Sequence, residues 1–204
     1  SWDKIGGHVR DMNLFQDDDG TAYVIYSSDG NTNTYIVKLN NDYTNISRSD
    51  SGSPIEGIDY IVTFVQNSRE APALFKYNNK YYMITSGCTG WSPNPAQYAI
   101  SDKVLGEWKI VGNPCTDDGS STTYDTQSTC VYKVDKGKYI YMGDRWFSNN
   151  LRDSRYVWLP IEFDIDGFIY IRKYSNWDLN IFPKIKPFKV ITNTRKIRKI
   201  FFEK

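Results

Sequence analysis

Three stretches of the chain repeat one pattern at a nearly constant interval, and this repeat limits the fold more than any other feature. RDMNLFQDDDGTAYVIYSS begins at Arg10, REAPALFKYNNKYYMITSG at Arg69 and TQSTCVYKVDKGKYIYMGD at Thr126. Each opens on a polar residue, runs into an aromatic, turns tightly and continues into a Tyr-bearing strand. The aromatics Phe15, Phe75 and Tyr132 stand 60 and 57 residues apart. Apolar alternation on either side of a short turn marks each stretch as a β-hairpin. Further strand-like runs follow each hairpin: NTYIVKLN and a less clear stretch from Asp42 to Val65, then QYAISDK and GEWKIVG, then SRYVWLPIEFD and GFIYIRKY. That gives about four strands per unit, with little helical periodicity anywhere. The expected fold is all-β, a partial β-propeller of about three four-stranded blades.

The first strand of a propeller blade lines the central axis, so the residues at the three strand mouths, Asp11, Glu70 and Gln127, are expected to converge on one pocket. An acid at the start of a hydrophobic strand makes sense there, because the mouth faces a shared cavity rather than a core. Two carboxyl groups facing one polar cavity are the minimal equipment for glycoside hydrolysis: one must hold a proton for the leaving oxygen. Burial and a neighbouring negative charge both raise a carboxyl pKa, so Asp11 beside Glu70 favours a protonated Glu70. The residues alone also allow an acid paired with Arg69, a turn-capping Asp11 or one paired with Arg10, and an ordinary strand glutamine.

Composition narrows the partners. With 25 basic and 24 acidic residues the total charge does not suggest nucleic acid. Sixteen Tyr, ten Phe and six Trp provide rings of the kind that sugars stack on. No run is long enough to cross a membrane as a helix, no signal peptide is visible, and the chain starts at Ser1. DDDG at 17–20 lacks the alternating ligands of a calcium loop and reads as a hairpin turn. The one histidine, His8, has no ligand partner at zinc spacing and stands three residues before Asp11, at the border of the expected pocket. Neither a metal nor a cofactor is expected. Cys88 and Cys115 could form a disulfide or be small buried thiols. Eight of the basic residues fall in 183–204, which is read as a basic tail beyond a domain at 1–182.

At the mouth residues the sequence resembles glycoside hydrolase family 43, whose fold is a five-bladed β-propeller. DMNLF at Asp11 and EAPALF at Glu70 match the family's two acid-bearing strands. RDMNLFQDDDG, REAPALFKYNNKYYMITSGCTGW, QSTCVY, DRW and DSRYVWLP are similar to the subgroup that contains exo-β-1,3-galactanases. The resemblance covers about residues 6 to 182 and corresponds to blades three to five of five. It implies Glu70 as general acid, Asp11 as the carboxylate that tunes it, Gln127 as the group that positions the attacking water, and Thr89 as a sugar contact. The implied reaction is inverting, with the two functional groups roughly 6.5–9.5 Å apart. The implied substrate is an oligosaccharide or polysaccharide, most simply a β-1,3-galactan cut from its end, and the implied location is extracellular or periplasmic.

Other candidates come from the neighbourhood of the motifs. Trp91 and Trp146, beside Gly, Arg and Asn, are the better candidates for stacking on a sugar ring, and Tyr124 joins them as a substrate contact. Trp158, in YVWLP, reads as a packed strand residue. Arg145 and Arg155 are expected to hold the axial carboxylates by bidentate pairing. Open alternatives are another family 43 activity on arabinofuranosyl, xylosyl or galactofuranosyl groups, a non-catalytic sugar-binding fragment, and a protein-interaction propeller.

Overall fold

In the computed structural model, which describes residues 5–49 and 52–182, twelve strands form three four-stranded antiparallel sheets. Blade 1 comprises β1 (Arg10–Gln16), β2 (Ala22–Ser28), β3 (Asn33–Lys38) and β4 (Tyr60–Thr63). Blade 2 comprises β5 (Arg69–Tyr77), β6 (Lys80–Gly87), β7 (Gln97–Ser101) and β8 (Lys109–Gly112). Blade 3 comprises β9 (Gln127–Asp135), β10 (Lys138–Arg145), β11 (Arg155–Phe163) and β12 (Ile169–Ile171). Every sheet is a meander in chain order, and the fold is a partial β-propeller. Among its described residues, the unclear stretch after β3 supplies only the short β4. The basic segment 183–204 lies outside the described residues.

Local chemistry sets the hairpins. Asn78 and Asn79, between β5 and β6, both have positive φ, the conformation a two-residue hairpin turn demands. The DDDG run is the β1–β2 turn, with the Asp17 amide bonded to the Thr21 carbonyl at 2.8 Å. Its carboxylate leaves the turn to meet Lys76 Nζ and the Tyr81 hydroxyl, each at 2.5 Å, and so ties blade 1 to blade 2. Among the described residues, no cluster of side chains could hold a metal ion, and no helix is long and apolar enough to cross a membrane.

The core lies between blades. Ile25, Ile36 and Phe64 of blade 1 and its connection to blade 2 meet Leu74, Met83 and Ala99 of blade 2. On the other face of blade 2, Phe75, Tyr82, Ile84 and Tyr98 meet Tyr139, Tyr141, Leu159 and Phe163 of blade 3. Blade 2 is covered on both sides, which is why Tyr81 to Ser86 is an unbroken buried run rather than an alternating one. Cross-strand pairing puts Tyr132, Trp158 and Tyr156 together on the far face of blade 3, and all three are exposed. Trp158 is therefore not a core residue, contrary to the reading of YVWLP: the strand alternates, and its inward positions go to Val157 and Leu159.

The clearest energetic contrast is between two ring positions of the repeat. Phe75 is 4% exposed, with its ring 5.2 Å from Tyr82 and 5.4 Å from Tyr139, while Tyr132 is 59% exposed. Phe75→Ala is expected to cost about 3–5 kcal/mol and Tyr132→Ala about 1 kcal/mol or less. Urea unfolding of the two variants beside the wild type checks this ordering.

Candidate active site

All three inner strands are irregular near their mouths. The β1–β2 register slips between Arg10 and Met12, β5–β6 between Glu70 and Ala73, and β9–β10 between the pairs of Ser128 and Cys130. Each slip leaves an extra residue on the inner strand, a β-bulge that turns the chain and re-aims nearby side chains. Asp11 has φ 26° and Ala71 φ 52°, so both bulges use backbone that L-residues adopt at a cost.

The bulges lock the inner strands to one another. The Ala71 amide, left without a ladder partner, donates to Asp11 Oδ2 at 3.2 Å, and the Ala71 carbonyl accepts from Ser128 Oγ at 2.5 Å. Asn13 Nδ2 reaches the Thr129 carbonyl at 2.9 Å, joining blade 1 directly to blade 3. Asp11, Glu70 and Gln127 thus come together at one end of the inner strands, from three different blades.

Glu70 is the centre of this group. It is half-buried, and its carboxylate accepts from Asn31 Nδ2 at 2.8 Å on Oε2 and from Gln127 Nε2 at 2.9 Å on Oε1. Burial, then the negative charge of Asp11, push its carboxyl above the ordinary glutamic range; contacts with Cys88, Gln127 and Asn31 pull the other way. Arg69 is not its ion-pair partner. The Arg69 guanidinium turns to the other face of the strand, donating to Thr85 Oγ1 at 3.0 Å, to the Thr85 carbonyl at 2.8 Å and to the Pro95 carbonyl at 3.1 Å. Alternation along β5 separates the two charges, and Glu70 remains available to chemistry.

Gln127 stands in direct contact with Glu70, not across a sugar-wide gap from it. Its other amide atom, Oε1, faces Trp146 Nε1 at 3.4 Å. Beside it opens a cavity of about 200 Å³ lined by Trp91, Trp146, Ser86, Asp125 and Asp144. The Trp91 and Trp146 rings meet edge to face at 5.5 Å and are 56% and 43% exposed. Thr89, exposed in the same loop, accepts from Asn94 Nδ2 at 2.8 Å. A larger cavity of about 370 Å³ lies at the outer edge between blades 2 and 3, by Lys80, Ile100, Asp166 and Phe168. It holds none of the mouth residues, so size does not locate the site.

Several expected site residues lie elsewhere or do other work. Tyr124 is buried, with its hydroxyl hydrogen-bonded to Asp117 and to the Ile171 carbonyl; it is a core residue, drawn inward by its ring area. Arg145 Nη2 donates to the Tyr124 carbonyl at 2.5 Å, and Arg155 is exposed and donates to the Ser154 carbonyl. Neither forms an ion pair with an axial carboxylate among the described residues, because strand pairing sets the two arginines opposite each other. His8 is exposed. Cys88, Cys115 and Cys130 are all free thiols, which removes the Cys88–Cys115 disulfide.

Two residues at the site were missed in the sequence. Asn31 lies in SSDGNTN, which reads as nothing more than a turn. Cys88 lies in SGCTGW, where attention went to Thr89. Burial, then the charge of Glu70, push the Cys88 thiol up to about 11, so it keeps its proton at neutral pH and donates to the Ser68 carbonyl at 3.1 Å.

Comparison with known proteins agrees with this architecture. The family model for glycosyl hydrolases family 43 matches residues 4–169. A family 43 β-1,3-galactosidase solved with galactodeoxynojirimycin is 43% identical, with a TM-score of 0.76, covering 86% of this chain and 48% of its own. The exo-β-1,3-galactanase 1,3Gal43A from Clostridium thermocellum is 38% identical, TM-score 0.68, covering 80% of this chain and 34% of its own. An exo-β-1,3-galactanase from Phanerochaete chrysosporium, solved with β-1,3-galactotriose, is 32% identical, TM-score 0.68, covering 80% and 35%. No curated protein matches the chain. The chain spans about half or less of the length of these solved relatives. Three blades in the family's order, with the matched segment running from the first blade into β12, make this chain a member of glycoside hydrolase family 43.

Proposed function

We propose that this chain carries the acid-bearing part of a site that hydrolyses β-1,3-linked galactan from its end, with inversion. The observation that supports this most is Glu70, a half-buried carboxyl whose pKa is raised, gathered with Asp11 and Gln127 in a family 43 chain. Protonated Glu70 delivers its proton to the glycosidic oxygen as the bond to the anomeric carbon breaks. Asp11 makes ionisation of Glu70 less favourable and so keeps the proton in place. Gln127 cannot take a proton from water, so its part is orientation through Oε1. A sugar entering between Glu70 and Gln127 must part their hydrogen bond. Trp91 and Trp146 offer apolar ring faces beside that point, suited to the flat face of a sugar.

The substrate in this reading is a polysaccharide or its oligosaccharides, with no nucleic acid or membrane as partner and no cofactor. A polymer of that size meets the enzyme outside the cytoplasm, which supports an extracellular or periplasmic location. The hydrogen bond that closes Gln127 onto Glu70 favours a second reading, a chain that binds sugar without turning it over.

Wild type is expected to release galactose from β-1,3-galactobiose and β-1,3-galactotriose, and Glu70→Gln to lose about 10²–10⁴-fold of that rate. No release by a folded wild type, with a melting temperature raised by the disaccharide, supports the binding reading instead. The pH profile gives a signed test. A general acid works while protonated, so activity falls as pH rises through the pKa of Glu70. Asp11→Asn removes the charge that raises this pKa, and the basic limb of kcat/KM is expected to move to lower pH; an unmoved limb counts against tuning by Asp11. Trp91→Ala is expected to raise KM more than it lowers kcat, measured on the trisaccharide, because a stacking platform binds ground state and transition state alike.

A further inference from the structure

The side chain that holds the second oxygen of Glu70 comes from a turn rather than from a strand mouth. Asp29, Gly30 and Asn31 all have positive φ, a run that shapes the β2–β3 connection into a tight reversal. Asp29 braces it from outside: its Oδ1 accepts from the Gly7 amide at 2.9 Å, and its Oδ2 from Asn33 Nδ2 and the Tyr35 hydroxyl, each at 2.7 Å. The same turn grips the approach to β5, since the Thr32 carbonyl accepts from the Asn67 amide at 3.1 Å and the Ser68 amide at 3.4 Å. Asn31 and Glu70 are thus carried by two segments hydrogen-bonded to each other.

Asn31 is 8% exposed, and its Nδ2 donates to Glu70 Oε2 at 2.8 Å. Its other amide atom, Oδ1, is buried without a hydrogen-bond partner among the described residues. A buried acceptor left unpaired carries a free-energy cost. The one hydrogen bond the amide makes to Glu70 is therefore a donation to the carboxylate, which favours the ionised form.

We propose that Asn31 is a positioning residue for Glu70, its side-chain amide fixing the carboxyl group and setting the pH at which Glu70 takes up its proton. This rests on the reading of Glu70 as the acid. The charged and titratable groups around Glu70 are Asp11 on β1, Arg69 on β5 and Cys88 after β6; Gln127 on β9 and Asn31 itself are neutral. A neutral N–H donor favours the ionised carboxyl, so removing it must raise the pKa of Glu70.

The chain contains five glutamates, few enough to follow each side-chain carboxyl by carbon-13 NMR in the glutamate-labelled protein. Glu70→Gln assigns the resonance of Glu70. Asn31→Gly keeps the positive φ and removes the donor, and is expected to move the Glu70 midpoint upward by about half to one pH unit while the other four stay in place. An unchanged or lowered midpoint overturns the proposal. If Asn31→Gly loses its spectral dispersion, Asn31→Asp decides: a second carboxyl at this distance must raise the Glu70 midpoint strongly, and no change overturns the proposal. The measurement needs no turnover. Absence of galactose release would therefore count against the proposed reaction and leave this result standing.

Discussion

Each sheet of this protein is apolar on both faces, and that single constraint arranges the rest. A sheet with two apolar faces cannot end at solvent on either side without leaving large apolar areas wet. Stacking face to face satisfies it, as blade 2 does between Ile36 and Met83 on one side and Phe75 and Tyr139 on the other. Because strands twist, stacked sheets fan out from their inner edges. The inner strands β1, β5 and β9 then converge, and their mouths share a space that packing does not fill. Packing of ordinary Tyr, Ile and Phe residues thus creates the place where polar residues can meet.

The same constraint accounts for what the end blades expose. On the far face of blade 1, Leu39 and Ile46 of the β3–β4 connection cover Val24, Tyr26 and Val37, but Met12 and Leu14 on β1 stay exposed. On the far face of blade 3, Tyr132, Tyr156 and Trp158 stay exposed. The exposed groups lie on the two faces that have no further blade against them among the described residues, in a chain that spans 48% of its solved relative with galactodeoxynojirimycin. Exposure here follows position in the stack rather than residue type.

Much of the fold was legible because the hairpin signal is local. Asn78-Asn79 and Asp166-Gly167 mark turns by backbone conformation alone, and the alternation around them gives the strands. The convergence of Asp11, Glu70 and Gln127 was legible for a topological reason: equivalent positions in a radial repeat must meet. What stayed hidden depends on which way a side chain leaves the strand. The bulges at Asp11, Ala71 and Thr129 shift that direction by one residue, and nothing in DMNLF or EAPALF marks the slip. Arg145, Arg155 and Tyr124 were placed at the site by their nearness to motifs, yet strand register sends the arginines to backbone carbonyls and Tyr124 into the core. Asn31 escaped notice because its partner is 39 residues away and a turn asparagine ordinarily needs no other explanation.

The partners around Glu70 suit the role of general acid proposed for it. A guanidinium in contact with its carboxyl would lower the pKa by about 1–3 units, opposite to the direction a general acid needs. Arg69 is adjacent in sequence, but its donors are consumed by Thr85 and Pro95 on the opposite face. The groups that touch Glu70 are instead two amides and a thiol that stays protonated, all neutral. Neutral donors fix the direction of a carboxyl while opposing the proton much less than a cation does. Burial and Asp11 then prevail, so Glu70 is oriented by its neighbours while its carboxyl stays above the ordinary glutamic range.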